Sequence, residues 1–380
     1  MKYQSKFTGA QIDERLEKVE NTYTKEEVDT KLSSSGGIGQ NTEGKTYTID
    51  SNTYNGSSSS EIFNDYSGNK AAGGYSHAEG YQVTASGYYS HAEGCQVTAS
   101  GDYSHAEGVG TKATANAAHA EGSNTTASND YAHAEGGNTV ASADWSHAEG
   151  KQTVASGDGS HAEGYATKAS NYYAHAEGEE TISSGESSHS EGYGTQATGD
   201  YSHAEGYYTI ASKANAHAEG LGSKAEGNQS HAEGEETTAS NVGAHAEGSN
   251  TVASGYRSHA EGQNTEASGS SSHSEGYYTK ATNSNSHAEG NYTLASGYSS
   301  HAEGNNTIAA STNQHVQGKY NVEDASDKFA FIIGNGLDSS TRSNAFAIDW
   351  DGLIYIGNSE TGIDLNSLVS RIEALENTGG

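Results

Sequence analysis

A fourteen-residue repeat governs most of this 380-residue chain. A histidine-led motif, usually His-Ala-Glu-Gly, first appears at His77, and all 18 histidines of the protein lie in its register as far as His315. No insertion or deletion interrupts the spacing. Fixed self-similarity over many units is the signature of a repeat architecture, in which each unit packs on its neighbours. We therefore expect a solenoid over this part of the chain.

Composition on its own would predict disorder. Hydrophobic residues make up 31% of the chain, and there are 49 glycines and no proline. A chain so poor in large apolar side chains normally fails to bury a core. The strict period overrides that interpretation, because it requires a regular structure with small residues inside.

Charge and cysteine content exclude several classes of protein. The formal net charge of −31 disfavours binding to nucleic acid or to an anionic membrane. The single cysteine, Cys95, excludes an intrachain disulfide framework and a cysteine-based zinc site. The N-terminal residues have no apolar signal segment, and no stretch approaches the roughly 20 apolar residues of a membrane span. We expect a soluble protein that is made in the cytoplasm and does not insert into membranes.

Each repeat contains two short segments in which small and variable residues alternate. The first is S-H-A-E-G, and the second is T-x-A-x-G, as in Thr251-Val252-Ala253-Ser254-Gly255. Alternation with a period of two predicts β-strands. Two strands and two turns in fourteen residues form one coil of a β-solenoid. The small residues would point inward, with His and Glu on one outer face and the variable residues on the other.

Five segments can be distinguished. Residues 1–40 contain a predicted helical attachment segment and a Ser/Gly linker, and residues 41–75 are predicted to cap the roll. Residues 76–318 form the roll itself, with 18 repeats. Residues 319–362 carry alternating apolar runs with Asn-Gly and Asp-Gly turns, which predict a neck of β-hairpins. Residues 363–380 place four apolar residues at heptad spacing and predict a short coiled coil: Leu365, Leu368, Ile372 and Leu375.

The doubled S-x-A-x-G pattern resembles the head of YadA-type trimeric adhesins, and the resemblance covers residues 76–318. It implies an all-β solenoid, namely a left-handed parallel β-roll of 14-residue coils in a homotrimer, with short α-helical coiled coils at both ends of this chain. In that family the first strand usually carries Val and Ile facing the partner subunits. This chain departs from the pattern there, because His replaces the Val and Glu replaces the Ile.

A second resemblance is to bacteriophage tail-fibre and tail-spike proteins. It is carried by the SHAEG roll itself, by "EIFNDYSGN" before it and by "NQHVQGKYNV" and "RSNAFAIDWDG" after it, together with "YTKEEVDTKL" near the N-terminus. It implies a fibre in the virion that attaches to a host cell-surface glycan or protein. The N-terminus would join other tail or baseplate proteins. A bacterial surface adhesin head and a polysaccharide-degrading tail spike remain as alternatives.

Three roles can be considered for the His and Glu rows. Catalysis is disfavoured, because an active site needs one unusual position and these are repeated throughout the roll. A metal ion on the trimer axis stays open, although ions in every layer would repel one another strongly. No other cofactor is expected. We favour intersubunit polar rows that fix the register of the trimer, represented by His77, Glu79, His91, Glu93, His105, Glu107, His119, Glu121, His133, Glu135, His147 and Glu149.

Tyrosines recur at the turns that precede the His strand. Exposed aromatic rings are common at recognition surfaces, so these positions are candidates for receptor contact. Alternatively, the rings stack on one another along the roll and shield its edge. The candidates are Tyr89, Tyr103, Tyr131, Tyr173 and Tyr201.

Overall fold

The structure, a computed structural model, describes residues 39–40, 47–48, 61–63, 68–357 and 365–378. The chain divides into two compact units, Met1–Ser156 and Gly157–Gly380, and each contains its own run of coils. The helical segment predicted before residue 35 lies outside the described residues. Within the described part of the chain, no helix has both the length and the apolar character needed to cross a bilayer.

The first unit consists of coils with one long and one short strand. The long strands begin at each histidine: His77–Tyr81, His91–Cys95, His105–Val109, His119–Ser123, His133–Gly137 and His147–Lys151. The short strands are Lys70–Ala71, Thr84–Ala85, Thr98–Ala99, Lys112–Ala113, Thr126–Ala127, Val140–Ala141 and Val154–Ala155. The first short strand lies within the segment assigned above to a cap. Glu61–Phe63 pairs in parallel with His77–Glu79, and Gly39–Gln40 pairs antiparallel with Tyr47–Thr48.

The second unit continues with the same two kinds of strand. Its long strands are His161–Tyr165, His175–Glu179, His189–Tyr193, His203–Tyr207, His217–Leu221, His231–Glu235, His245–Ser249, His259–Gln263, His273–Tyr277, His287–Asn291, His301–Asn305 and His315–Lys319. Its short strands are Lys168–Ala169, Ile182–Ser183, Gln196–Ala197, Ile210–Ala211, Lys224–Ala225, Thr238–Ala239, Val252–Ala253, Glu266–Ala267, Lys280–Ala281, Leu294–Ala295 and Ile308–Ala309.

Neighbouring coils pair in parallel and in strict register. His105 lies opposite His119, and Glu107 opposite Glu121, so that each motif position forms a row. The short strands pair in the same way, with Ala113 opposite Ala127. The predicted parallel β-solenoid with 14-residue coils is confirmed in both units.

Small side chains fill the interior of each coil. Ala78 of the long strand and Ala85 of the short strand are fully buried, while His77 and Glu79, on either side of Ala78, face outward. Only Ala, Ser, Thr, Val and Gly of this size fit between two strands that lie so close together. Where a serine precedes the histidine, it also closes the adjacent turn, as the hydroxyl of Ser90 does by donating a hydrogen bond of 2.7 Å to the carbonyl oxygen of Gly87.

The second unit ends in a small antiparallel sheet and a helix. The strands Phe329–Asn335, Asn344–Asp349 and Ile354–Ile356 form the sheet, and the first of them also pairs in parallel with His315–Lys319. Ile332 is the largest fully buried side chain here, so the alanine core of the roll passes into a core of larger residues. The predicted hairpins are therefore present. The helix Leu365–Thr378 covers most of the predicted C-terminal coiled-coil segment.

Close stacking of the coils depends on the glycine of each long strand. Gly136 has a φ of +109°, and a Cβ placed on it would clash with the carbonyl oxygen of Gly150 in the next coil. Gly137, one residue later, meets only the Cγ of Lys151 at 3.9 Å. The backbone itself thus forbids a side chain at one position and tolerates it at the next.

Gly136→Ala is expected to destabilise the roll by about 3 kcal/mol, because both the clash and the left-handed φ oppose it. Gly137→Ala is the matched control and should change the free energy of unfolding by less than about 0.5 kcal/mol. Denaturant titration of both variants checks the difference. Equal effects would contradict the role assigned to the glycine row.

Many inward threonines bury a hydroxyl that has no hydrogen-bond partner. Thr139 is fully buried and its Oγ1 makes no hydrogen bond. In the first coils of the roll the same register position holds Val83 and Val97. Thr279, in contrast, shares a 2.8 Å hydrogen bond with the hydroxyl of Ser274. An unpaired buried hydroxyl costs stability, whereas a paired one contributes to it.

Thr139→Val should therefore raise the free energy of unfolding by about 1 kcal/mol, since valine has nearly the same shape without the unpaired hydroxyl. Thr279→Val should lower it by a similar amount, about 1 kcal/mol, because Ser274 loses its partner. Thermal or chemical unfolding of the two variants tests the opposite signs. A loss of stability in Thr139→Val would show that its hydroxyl is satisfied.

Candidate functional site

The long strands place the His and Glu side chains in two parallel rows on one face. The Nε2 of His105 lies 3.6 Å from Oε2 of Glu107 in the same coil. The corresponding distances elsewhere in the first unit run from 3.5 Å at His77 to 3.7 Å at His147. These distances are too long for strong hydrogen bonds. The two side chains are adjacent and about half exposed, so the face has room for contact with other groups.

The histidine rings form stacked columns along this face. The ring centroids of His91 and His105 are 4.8 Å apart and their planes differ by 10°. In the second unit His259 and His273 repeat the arrangement at 4.8 Å and 1°. Positive charges at this spacing would repel one another, so the stack favours neutral imidazole.

Burial lowers the pKa of the histidines, and neighbouring histidines lower it further. This holds for His91, His175, His189, His217, His231, His259, His287 and His301. The pKa of His287 falls to about 4. The adjacent glutamates act in the opposite direction but do not prevail. For these residues, burial in the stack therefore outweighs the carboxylates.

Neutral histidines leave the glutamate row without cationic compensation at neutral pH. The carboxylates respond to one another where they lie closest. A hydrogen bond from Glu275 to Glu261 raises the pKa of Glu275 to about 7 and lowers the pKa of Glu261. Glu261 also lies 3.2 Å from Nε2 of His273 in the next coil. These glutamates, with Glu247 and Glu289, line an open trough of about 560 Å³.

The lowered histidine pKa values predict that the roll loses stability on acidification. Below about pH 6.5 these histidines bind protons in the unfolded chain but remain neutral in the folded chain. The free energy of unfolding therefore falls as the pH falls towards 4. Glu275 acts in the reverse direction, because its folded-state pKa is raised, but it is a single group. Melting temperatures measured between pH 7.5 and 4 should decrease steadily.

His287→Gln removes one titrating ring and should make this pH dependence shallower, with the largest gain relative to the parent at about pH 4. A melting temperature that stays constant, or rises, on acidification would contradict the interpretation.

The His and Glu rows also contain the donor set of a transition-metal site. Nitrogen and oxygen atoms of His175, Glu177 and His189 lie within 4.8 Å of one another, and the same holds for His259, Glu261 and His273. Neutral imidazole and carboxylate are ligands that zinc accepts. The rows could hold an ion where two coils meet, which keeps the metal alternative open.

The predicted tyrosines lie at the turn before each long strand, in the left-handed region of backbone conformation. Their φ values are +57° at Tyr89, +59° at Tyr103 and Tyr131, +52° at Tyr173 and +57° at Tyr201. Bulky residues rarely adopt this conformation, which costs roughly 1 kcal/mol or more. At the same turn position other coils use Asn, Ser, Gly, Ala, Gln or Arg, so the aromatic residues are not needed for the turn.

The tyrosine rings are partly stacked on one another and partly exposed. Tyr89 stacks on Tyr75 at 4.8 Å and on Tyr103 at 5.4 Å, so these rings cover one another. Tyr131 stacks on Trp145 with the ring centroids 5.8 Å apart. Trp145 holds the same repeat position as the candidate tyrosines but was not among the candidates. Tyr173 and Tyr201 are 69% and 57% exposed. The hydroxyl of Tyr201 donates to Glu186 at 3.0 Å.

Comparison with known proteins gives no family assignment. No family model matches the chain, and no curated protein is significantly similar to it.

Proposed function

We propose that the chain is a structural and adhesive fibre protein of a bacteriophage tail, which trimerises through its His/Glu face and attaches the virion to the host cell surface. The roll serves as a stiff shaft. The N-terminal segment joins other tail or baseplate proteins, and the recognised partner is a glycan or protein of the host surface.

The observation that carries the proposal is the unsatisfied polar chemistry of the His/Glu face. The Nε2 atoms of many ring-stacked histidines are buried and make no hydrogen bond in the single chain, for example in His119, His133, His203 and His245. Buried polar atoms without partners are costly and rare in complete assemblies. Because these atoms are covered in the single chain, carboxylates from the same rows of two further copies would reach them once the His and Glu side chains reorient on assembly, with the imidazoles donating as neutral groups.

The C-terminal helix supports the same assembly. Leu365, Leu368, Ile372 and Leu375 lie on it at heptad spacing and are all exposed, Leu375 to 72%. Isolated helices of this length are marginal in water, and an exposed apolar seam is stabilised by packing against equivalent helices. A trimeric left-handed roll, as the resemblance to YadA-type heads implies, would bring three such helices together at one end.

We expect the purified protein to have a mass near three times the chain mass of 39.4 kDa in sedimentation equilibrium. Reversal of charge by Glu107→Lys, Glu121→Lys, Glu135→Lys and Glu149→Lys together should weaken the assembly, because it places lysines in the proposed interface. The matched control is Thr126→Lys on the opposite face, where Lys112 already occupies the equivalent position. A monomeric parent protein, or loss of assembly only in the control, would contradict the proposed interface.

The site of action is tested by immunogold labelling with antibody against the roll. Gold particles on the tail fibres of purified virions would agree with the proposal and show which end is distal. Label on the envelope of uninfected bacteria, with unlabelled virions, would favour a cellular adhesin. Release of reducing sugars from capsule would instead identify a depolymerase.

A further inference from the structure

The aromatic column of the first unit lacks one ring. The turn position before each long strand is occupied in successive coils by Tyr75, Tyr89, Tyr103, Ala117, Tyr131 and Trp145. All six residues have left-handed φ values between +52° and +59°. Five of the six carry an aromatic ring, and Ala117 interrupts the series between Tyr103 and Tyr131.

The faces of Tyr103 and Tyr131 that point to this gap are not covered by a neighbouring ring of the column. Tyr103 and Tyr131 are 63% and 57% exposed. Two coil steps separate them, which places the ring planes roughly 10 Å apart. A flat ring between them would need two contacts of roughly 3.5–4.0 Å, or about 7–8 Å in all. The gap is about 2 Å wider than that, which suits the puckered chair of a pyranose better than a flat ring.

Backbone hydrogen bonds hold the gap at this width. The amide of Ala117 donates to the carbonyl of Asp102 at 2.8 Å, and the amide of Tyr131 donates to the carbonyl of Asn116 at 2.9 Å. The two aromatic rings are thus anchored to a rigid ladder. Ligand binding would therefore cost little conformational entropy in the site.

Polar side chains of the turn border the gap at the coil of Ala117. The carboxylate of Asp130 accepts the amide of Asn116 at 3.0 Å, and the side-chain amide of Asn116 donates to the same carboxylate at 3.4 Å. The carboxylate of Asp102, in contrast, is directed to the preceding coil, where it accepts the amide of Tyr88 at 2.8 Å. Carboxylate and amide oxygens can accept more than one hydrogen bond. Asp130 and Asn116 can therefore accept hydrogen bonds from the hydroxyls of a ligand in the gap.

We infer that the gap over Ala117 is a binding site for a pyranose ring of an uncharged glycan, held between Tyr103 and Tyr131. Two apolar ring faces match the C–H faces of a sugar, and the acceptors match its hydroxyls. The net charge of −31 disfavours acidic sugars. This inference deepens the proposed attachment function, since it names the class of ligand and the residues that contact it.

The structure also offers a variant that closes the gap without changing the fold. Ala117→Tyr would insert the missing ring at a φ that four tyrosines of the column already adopt. The matched control is Ser271→Tyr in the second unit, which has the same left-handed φ of +55° and has Arg257 and Asn285 as its column neighbours instead of rings. Tyr131→Asn removes one face of the gap, and asparagine tolerates this backbone conformation.

The experiment is a microarray of uncharged, sialylated and sulfated oligosaccharides, followed by NMR titration with any bound sugar. The parent protein and Ser271→Tyr should bind at least one uncharged glycan equally well. Ala117→Tyr should lose that binding with an unchanged or higher melting temperature, and Tyr131→Asn should bind about tenfold more weakly, a loss of one ring contact.

Several outcomes would overturn the inference: no uncharged glycan binds, only acidic glycans bind, or Ala117→Tyr binds as well as the parent. NMR titration with free indole tests a flat aromatic ligand instead, and occupation of the gap by indole with no glycan bound would show that the ligand class is wrong. Because these measurements use purified protein, their failure leaves the virion location untouched. Conversely, glycan binding by a protein absent from virions would refute the attachment function alone.

Discussion

The in-register stacking of one backbone coil on the next is the constraint on which the rest of the structure depends. Each coil donates amide hydrogens to the carbonyls of the next, as from His77 to Ser90 at 2.9 Å and from Thr84 to Val97 at 2.8 Å. The glycines of the long strands within each unit permit this approach, because a Cβ on Gly136, for example, would occupy the position of the carbonyl oxygen of Gly150. A core of alanine, serine and threonine is sufficient since the backbone ladder, rather than large apolar side chains, provides the regular contacts.

Because the coils pair in strict register, each motif position forms a row of like residues. The neighbours within a row then change the pKa of each residue. A single half-buried histidine would titrate near its usual range. In the stack the imidazole of His287 is desolvated by burial and repelled by the charge of its histidine neighbours, which lowers its pKa to about 4. The same register aligns the carboxylates, so that Glu261 and Glu275 compete for one proton. The rows therefore form a face whose polar groups need partners, and this need is the physical basis of the proposed assembly.

The register also makes the missing aromatic ring at Ala117 structurally significant. In an irregular protein an alanine between two tyrosines would have no significance. Here Ala117 occupies a place whose neighbours above and below carry rings at a fixed spacing and with the same left-handed backbone. The missing side chain therefore defines a gap two coil steps wide, bounded by two aromatic faces and bordered by the carboxylate of Asp130.

The sequence by itself determined the coil length, the two strands of each coil, the inward and outward positions and the hairpins after the roll. All of these follow from period and alternation, which are local properties. Trp145 could have been added to the aromatic candidates from its repeat position alone. Only the tertiary structure decided the direction of the histidine pKa shifts, the unpaired hydroxyl of Thr139 and the gap over Ala117. These depend on the distance between coils and on the orientation of side chains in adjacent coils, which no pattern along the chain specifies.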